Sequence, residues 1–131
     1  MNIICDSSFW LSLYDKNDED FHKKAINIAE KFEFVSGVYM PWPSMYLLIN
    51  TKFLKEKYDP FLKDFRRRIK KRKIIKIDDL SYKKNAYARL KKNGASLVDC
   101  IVDEIYLDKK INIDCVVSFT NKRYIHHLTL L

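Results

Sequence analysis

Two aspartates stand where a fold could bring them together. Asp6 closes the apolar run Ile3-Ile4-Cys5 and opens the polar cluster Asp6-Ser7-Ser8, while Asp99 follows Ser96-Leu97-Val98 at the head of a long apolar stripe. Carboxylates are hard oxygen ligands. Two to four of them at one place suit Mg²⁺ or Mn²⁺, which clamps a phosphodiester and activates water. Each aspartate also has a plainer reading, Asp6 as an N-cap and Asp99 as the acid of the capping box that starts at Ser96. Asp103, four residues on from Asp99, shares its helical flank but lies further from the apolar stripe, so a solvated position is expected for it.

Other chemistries find less support. Two glycines in 131 residues exclude a glycine-rich nucleotide cradle. Ser7 and Ser8 have no base at a useful spacing for a hydrolase triad. His22, His126 and His127 lack partners at metal spacing and are expected on the surface or satisfied in the core. Cys5, Cys100 and Cys115 are odd in number, without a C-x-x-C pair, and read as small buried hydrophobes. Asp78 and Asp79 are expected to cap the helix that begins near Ser81.

Charge points to a polyanionic partner. Lysine and arginine outnumber the acids 25 to 17, a net +8, and Arg66, Arg67, Arg68, Lys70, Lys71 and Arg72 nearly adjoin. Such a run can hold RNA through its phosphates, or can simply be a solvated helix face. With 47% apolar residues the chain is expected to fold as one domain over residues 1–131. No apolar stretch reaches the ~18 residues of a membrane span, and the first six residues read as a strand rather than a leader, so a cytoplasmic location without membrane contact is expected.

The elements that must position these residues alternate. Asn2–Cys5 reads as a strand and Phe9–Tyr14 as a helix. Phe21, Ala25, Ile28, Ala29 and Phe32 recur at helical spacing after acids at the start, so a second helix is expected from Asp18 to Phe32. Phe34–Met40 reads as a strand, Ser44–Tyr58 as a helix, and a basic helix should follow Pro60 as far as Arg72. Ile74–Ile77 is strand-like, Ser81–Leu90 helical, and Asn93-Gly94 a left-handed stop. Leu97, Val98, Ile101, Val102, Ile105 and Tyr106 form one stripe on the next helix. Cys115–Phe119 is a buried-type strand, and Leu128–Leu131 is expected to add a short last one. The alternation predicts an α/β fold, a three-layer α/β/α sandwich around a mostly parallel sheet of four or five strands. Asp6, Asp78, Asp79, Asp99 and the segment 118–121 would then share the rim at the strands' carboxyl ends, where open α/β sheets bind ligands.

The ordered blocks Ile3–Trp10, Pro41–Lys52, Ser96–Cys100 and Ile113–Phe119 resemble those of PIN domains, and they span almost the whole chain. The resemblance implies a Mg²⁺- or Mn²⁺-dependent endoribonuclease of the toxin–antitoxin (VapC) type, with RNA as substrate, an antitoxin protein as partner and a homodimer as assembly. Asp6 falls on the family's first acidic ligand and Asp99 on its third. Leu47 stands where the middle block has an acid, Thr120-Asn121 where the last block has Asp or Asn, and Arg123-Tyr124 where an acid–Phe pair is common. The pattern therefore reads as a nuclease with a weakened acidic site, which implies Asn121 or Thr120 as a neutral metal ligand or water positioner and Asp103 or Asp114 as the substitute for a lost acid. The alternative is a catalytically inactive PIN-like module that binds RNA or a protein.

Overall fold

A computed structural model describes residues 1–55, 60–71, 74–93 and 96–131. Strand β1 (Asn2–Cys5) leads into helices α1 (Ser7–Tyr14) and α2 (Glu19–Glu30), then β2 (Gly37–Trp42), α3 (Ser44–Lys55), α4 (Pro60–Lys70) and β3 (Ile74–Asp78). Helices α5 (Lys83–Asn93) and α6 (Leu97–Leu107) precede β4 (Cys115–Val117). All pairings are parallel and the order is β3-β2-β1-β4. The chain thus steps outward from β1 through β2 to β3, then returns to the other side of β1. Because crossovers between parallel strands are right-handed, reversing the direction of travel moves the connecting helices to the other face. Accordingly α1 packs on α2 and α3, while α5 packs on α6 and α6 on β2. This is the three-layer α/β/α sandwich.

The central strands are continuous apolar runs because helices cover both of their faces. Ile3, Ile4, Cys5, Cys115, Val116 and Val117 are all fully buried. Beneath one layer, Trp10 meets Phe9 edge-on at 5.2 Å and Phe65 at 6.4 Å, and its indole N–H donates to the Cys5 carbonyl at 3.2 Å. All three cysteines are buried and unbonded to one another. Helix α2 starts as its acids predict: the Asp18 carboxylate accepts from the Phe21 amide at 3.3 Å, with Glu19 and Asp20 in the first turn.

Several boundaries differ from the sequence reading. Phe34 is 79% exposed in a 3-10 turn (Lys31–Phe34), and β2 begins at Gly37, where an added Cβ would lie 2.6 Å from the Ile75 side chain. The atom met is the tip of the Ile75 side chain, so a larger residue at position 37 would require that side chain to turn aside. Helix α5 is preceded by a 3-10 turn, Leu80–Tyr82. The expected last strand at Leu128–Leu131 is instead part of a 3-10 helix, Ile125–Leu130. It cannot add to the sheet in register, because β4's outward Val116 amide already donates to His127 Nδ1 at 3.0 Å. The stop at Asn93-Gly94 and the end of the third helix at Tyr58 reach beyond the described residues.

Candidate active site

The carboxyl ends of β1 and β4 form the place where the sheet's direction of travel reverses, which is where open α/β sheets offer a crevice. Asp6 sits there. Its backbone is extended (φ −81°, ψ 179°), its amide donates to the Val117 carbonyl at 3.0 Å, and its Oδ1 accepts from the Phe9 amide at 3.2 Å. The capping role is therefore real. Ser8 adds a second bond to the same oxygen at 2.5 Å, and the Ser8 hydroxyl in turn accepts from the Phe119 amide at 2.9 Å, tying α1 to the segment after β4. That segment is a self-bonded turn: fully buried Ser118 accepts from the Thr120 amide at 3.3 Å and the Asn121 amide at 3.0 Å, and Asn121 Oδ1 accepts from the Arg123 amide at 3.1 Å.

Burial pushes the Asp6 carboxyl pKa up, hydrogen bonds from Ser118, Ser8 and the Phe9 amide oppose this, and the Asp99 charge adds to the rise. The two carboxylates are thus electrostatic neighbours. Asp99 occupies the third position of α6, where its amide donates to the Ser96 hydroxyl at 3.1 Å. The capping box is only half made, since Asp99 Oδ1 is buried with no hydrogen-bond partner. A buried carboxylate oxygen without a donor costs on the order of 1–3 kcal/mol. A capping role leaves that cost unexplained, whereas a bound cation would meet it.

The other sequence candidates are dispersed. Asp103 is 5% exposed rather than solvated, and both its oxygens are engaged, Oδ1 by the Tyr124 hydroxyl at 2.5 Å and Oδ2 by Arg123 at 3.3 Å. It lies one turn below Asp99, about 6 Å along α6, on a flank that the returning chain covers. Asp114 precedes β4, at the opposite edge of the sheet, and its Oδ2 accepts from the Asn2 amide at 2.7 Å. That position removes it as a substitute acid. Thr120 is exposed, and Leu47, in the first turns of α3, is 53% exposed. His127 is a satisfied core residue, as expected.

Asp79 carries a role the sequence reading missed. Asp78 does serve the turn below it, accepting from the Leu80 amide at 3.0 Å, but fully buried Asp79 reaches across to accept from the Ser44 amide at 2.9 Å and so caps α3. Its other oxygen, 3.8 Å from Lys83 Nζ, has no hydrogen-bond partner. No sequence signal marks this contact, because the partners are 35 residues apart.

The basic run lies elsewhere. Helix α4 ends just before β3 begins, so Lys70 and Lys71 sit toward the sheet's amino edge, while Arg68, further up the helix, is near enough for its charge to oppose the rise in the Cys5 thiol pKa. Arg66, Lys70 and Lys71 are exposed, while Arg67 and Arg68 bind Asp64 at 2.6 and 2.8 Å. Burial alone would raise the Asp64 pKa, but Tyr14, Arg68 and Arg67 hold it below the usual carboxylate range. Arg67, Arg68 and Lys71 share a cleft of about 550 Å³ with Glu30 and Glu33. Arg72 lies outside the described residues.

The chain matches no family model, no curated protein and no solved structure. Among the described residues no group of three or more His, Cys, Asp or Glu side chains is arranged to hold a metal, and no helix is long and apolar enough to cross a membrane. The unpartnered Asp99 oxygen provides an open donor at this rim, and ions such as Mg²⁺ that keep several waters are commonly held by one or two carboxylates.

Proposed function

We propose that the protein is a Mg²⁺- or Mn²⁺-dependent endoribonuclease of PIN type with a sparse acidic site, acting as the toxin of a toxin–antitoxin pair. The observation that carries this reading is the buried, unpartnered Asp99 Oδ1, on a residue whose charge is felt at Asp6. Asp6 and Asp99 would hold the ion, which when bound supplies Lewis-acid polarisation and a water of lowered pKa. Ser8 and Ser118 orient Asp6. The turn 118–121 keeps its shape through Ser118, leaving the Thr120 side chain and the second lone pair of Asn121 Oδ1 for water. An antitoxin protein and a second copy of the chain are the partners this reading brings with it; exposed Leu47 and Leu48 offer them apolar surface.

A second reading, a PIN-like module that binds RNA or protein without cutting, is favoured by the exposed leucine at position 47 and the want of a third acid among the described residues. Cleavage of an end-labelled RNA by the wild type, Asp6→Asn and Asp99→Asn separates the two. The nuclease reading expects cleavage that needs the metal, runs faster with Mn²⁺ than Mg²⁺, and disappears in both variants. Cleavage indifferent to Asp99→Asn overturns the site. RNA binding without any cleavage establishes the module.

A further inference from the structure

The basic end of α4 lies toward the sheet's amino edge, so a cation on the turn after β4 is better placed to meet phosphates at the rim. We infer that Arg123 is the phosphate contact of the Asp6–Asp99 site, held ready by Asp103 and Tyr124. The inference rests on the nuclease reading for its substrate, a single-stranded RNA.

Arg123 rides on the turn that leaves β4 at the same reversal point as Asp6. That turn is rigid: besides the Ser118 bonds, the Asn121 side chain accepts from the Arg123 amide and the Asn121 carbonyl from the Tyr124 amide at 3.0 Å. The guanidinium is half in solvent, its side chain 52% exposed, and Asp103 takes one terminal nitrogen at 3.3 Å. The same guanidinium lies 5.9 Å from the Tyr124 ring centroid. Buried Asp103 would cost stability unless paired, and the Tyr124 hydroxyl with the Arg123 edge pairs it. Asp103 and Tyr124 are thereby positioning residues that fix one edge of the fork and leave the other turned outward. Arginine binds phosphate oxygens through two parallel N–H donors, and a fork fixed beforehand loses little side-chain entropy on binding. Its partner Asp103 lies one turn from Asp99 along α6, which suits Arg123 to the phosphate next to the one at the carboxylates. Arg123, like the exposed Lys122 before it, supplies positive charge at a rim that carries several carboxylates.

Fluorescence anisotropy with a labelled single-stranded oligoribonucleotide in EDTA, across a NaCl series, tests the contact without cleavage. Replacing Arg123→Gln should weaken binding roughly tenfold at low salt and reduce the log–log salt slope by about 0.7. Arg123→Lys should keep the slope while losing a few-fold in affinity, because the charge remains and the fork does not. Since Arg123→Gln leaves Asp103 less well paired, the double variant Asp103→Asn with Arg123→Gln, which buries no carboxylate there, should show the same slope change. Wild-type affinity and slope in a folded Arg123→Gln or in the double variant overturn the inference. Mn²⁺ titration of Arg123→Gln monitored by electron paramagnetic resonance should match wild type. Failure of the metal site instead shows as a wild type that does not take up Mn²⁺, whatever the arginine does.

Discussion

Asp99→Asn distinguishes a ligand from a cap by the sign of its effect. In the metal-free protein Asp99 Oδ1 is buried without a donor and its charge opposes that of Asp6, while the cap of α6 is made by the Ser96 hydroxyl and the Asp99 amide, which asparagine retains. Removing the charge should therefore stabilise the metal-free fold. Asparagine leaves an unpaired polar atom at the same place but no charge, so the gain is the part of the roughly 1–3 kcal/mol cost of an unsatisfied buried group which the charge adds, about 1 kcal/mol for a side chain that is only half-buried. For a chain of this size that corresponds to a Tm higher by roughly 3–5 °C. With Mn²⁺ the order should invert. A ligand at a hundred times its Kd stabilises the protein that binds it by about 2.7 kcal/mol, so wild type should gain roughly 8–13 °C while Asp99→Asn gains nothing. Differential scanning calorimetry in EDTA and in Mn²⁺ reads both numbers. A metal-free Asp99→Asn less stable than wild type would make Asp99 a structural residue, and equal Mn²⁺ shifts in the two proteins would remove it from any metal site.

Three further outcomes follow from the geometry. His127 is buried beside His126, Tyr106 and Tyr124, accepts the Val116 amide through Nδ1, and is held below the ordinary imidazole pKa first by burial and then by His126. The unfolded chain therefore binds a proton more readily, and stability falls as pH drops below about 6.5 until the depressed folded pKa is passed; urea melts between pH 7.5 and 5 should show this fall, and it should flatten in His127→Gln. Asp79→Ala should cost about 1–2 kcal/mol by stripping α3 of its cap, whereas Asp79→Asn, which keeps an acceptor for the Ser44 amide, should cost less than half as much by the same melts. Leu47→Glu changes an exposed position, so its stability should stay within about 0.5 kcal/mol of wild type, while Mg²⁺-dependent RNA cleavage rises and adding Asp6→Asn abolishes the gain; no rise would separate Leu47 from the site.

Much of this molecule was present in local pattern. Ile3-Ile4-Cys5 and Cys115-Val116-Val117 are uninterrupted because both sheet faces are covered, and the stripe of α6 repeats with the helix period because one face packs inward; both are properties of short stretches of chain. Alternation of such stretches sufficed for a parallel sheet with helices on both sides, and the rule that ligands sit at strand carboxyl ends placed Asp6 and Asp99 at one rim. Their capping contacts were equally local, reaching three residues in each case. What the tertiary structure alone decided depends on residues far apart in sequence. Asp103 has the spacing of a solvated residue, yet a segment twenty residues later folds back over it with Tyr124 and Arg123. Asp79 lies beside a turn it was expected to cap, yet the Ser44 amide on the neighbouring connection comes closer to one of its oxygens. The run at 66–71 is as basic as composition says, but the direction of α4 carries its end toward the edge opposite the carboxylates. Leu128–Leu131 has strand-like content, but His127 already occupies the one sheet edge it could join. Periodicity reports which face of an element is buried. Which distant group meets a given side chain, and at which end of the sheet, is fixed only when the elements pack.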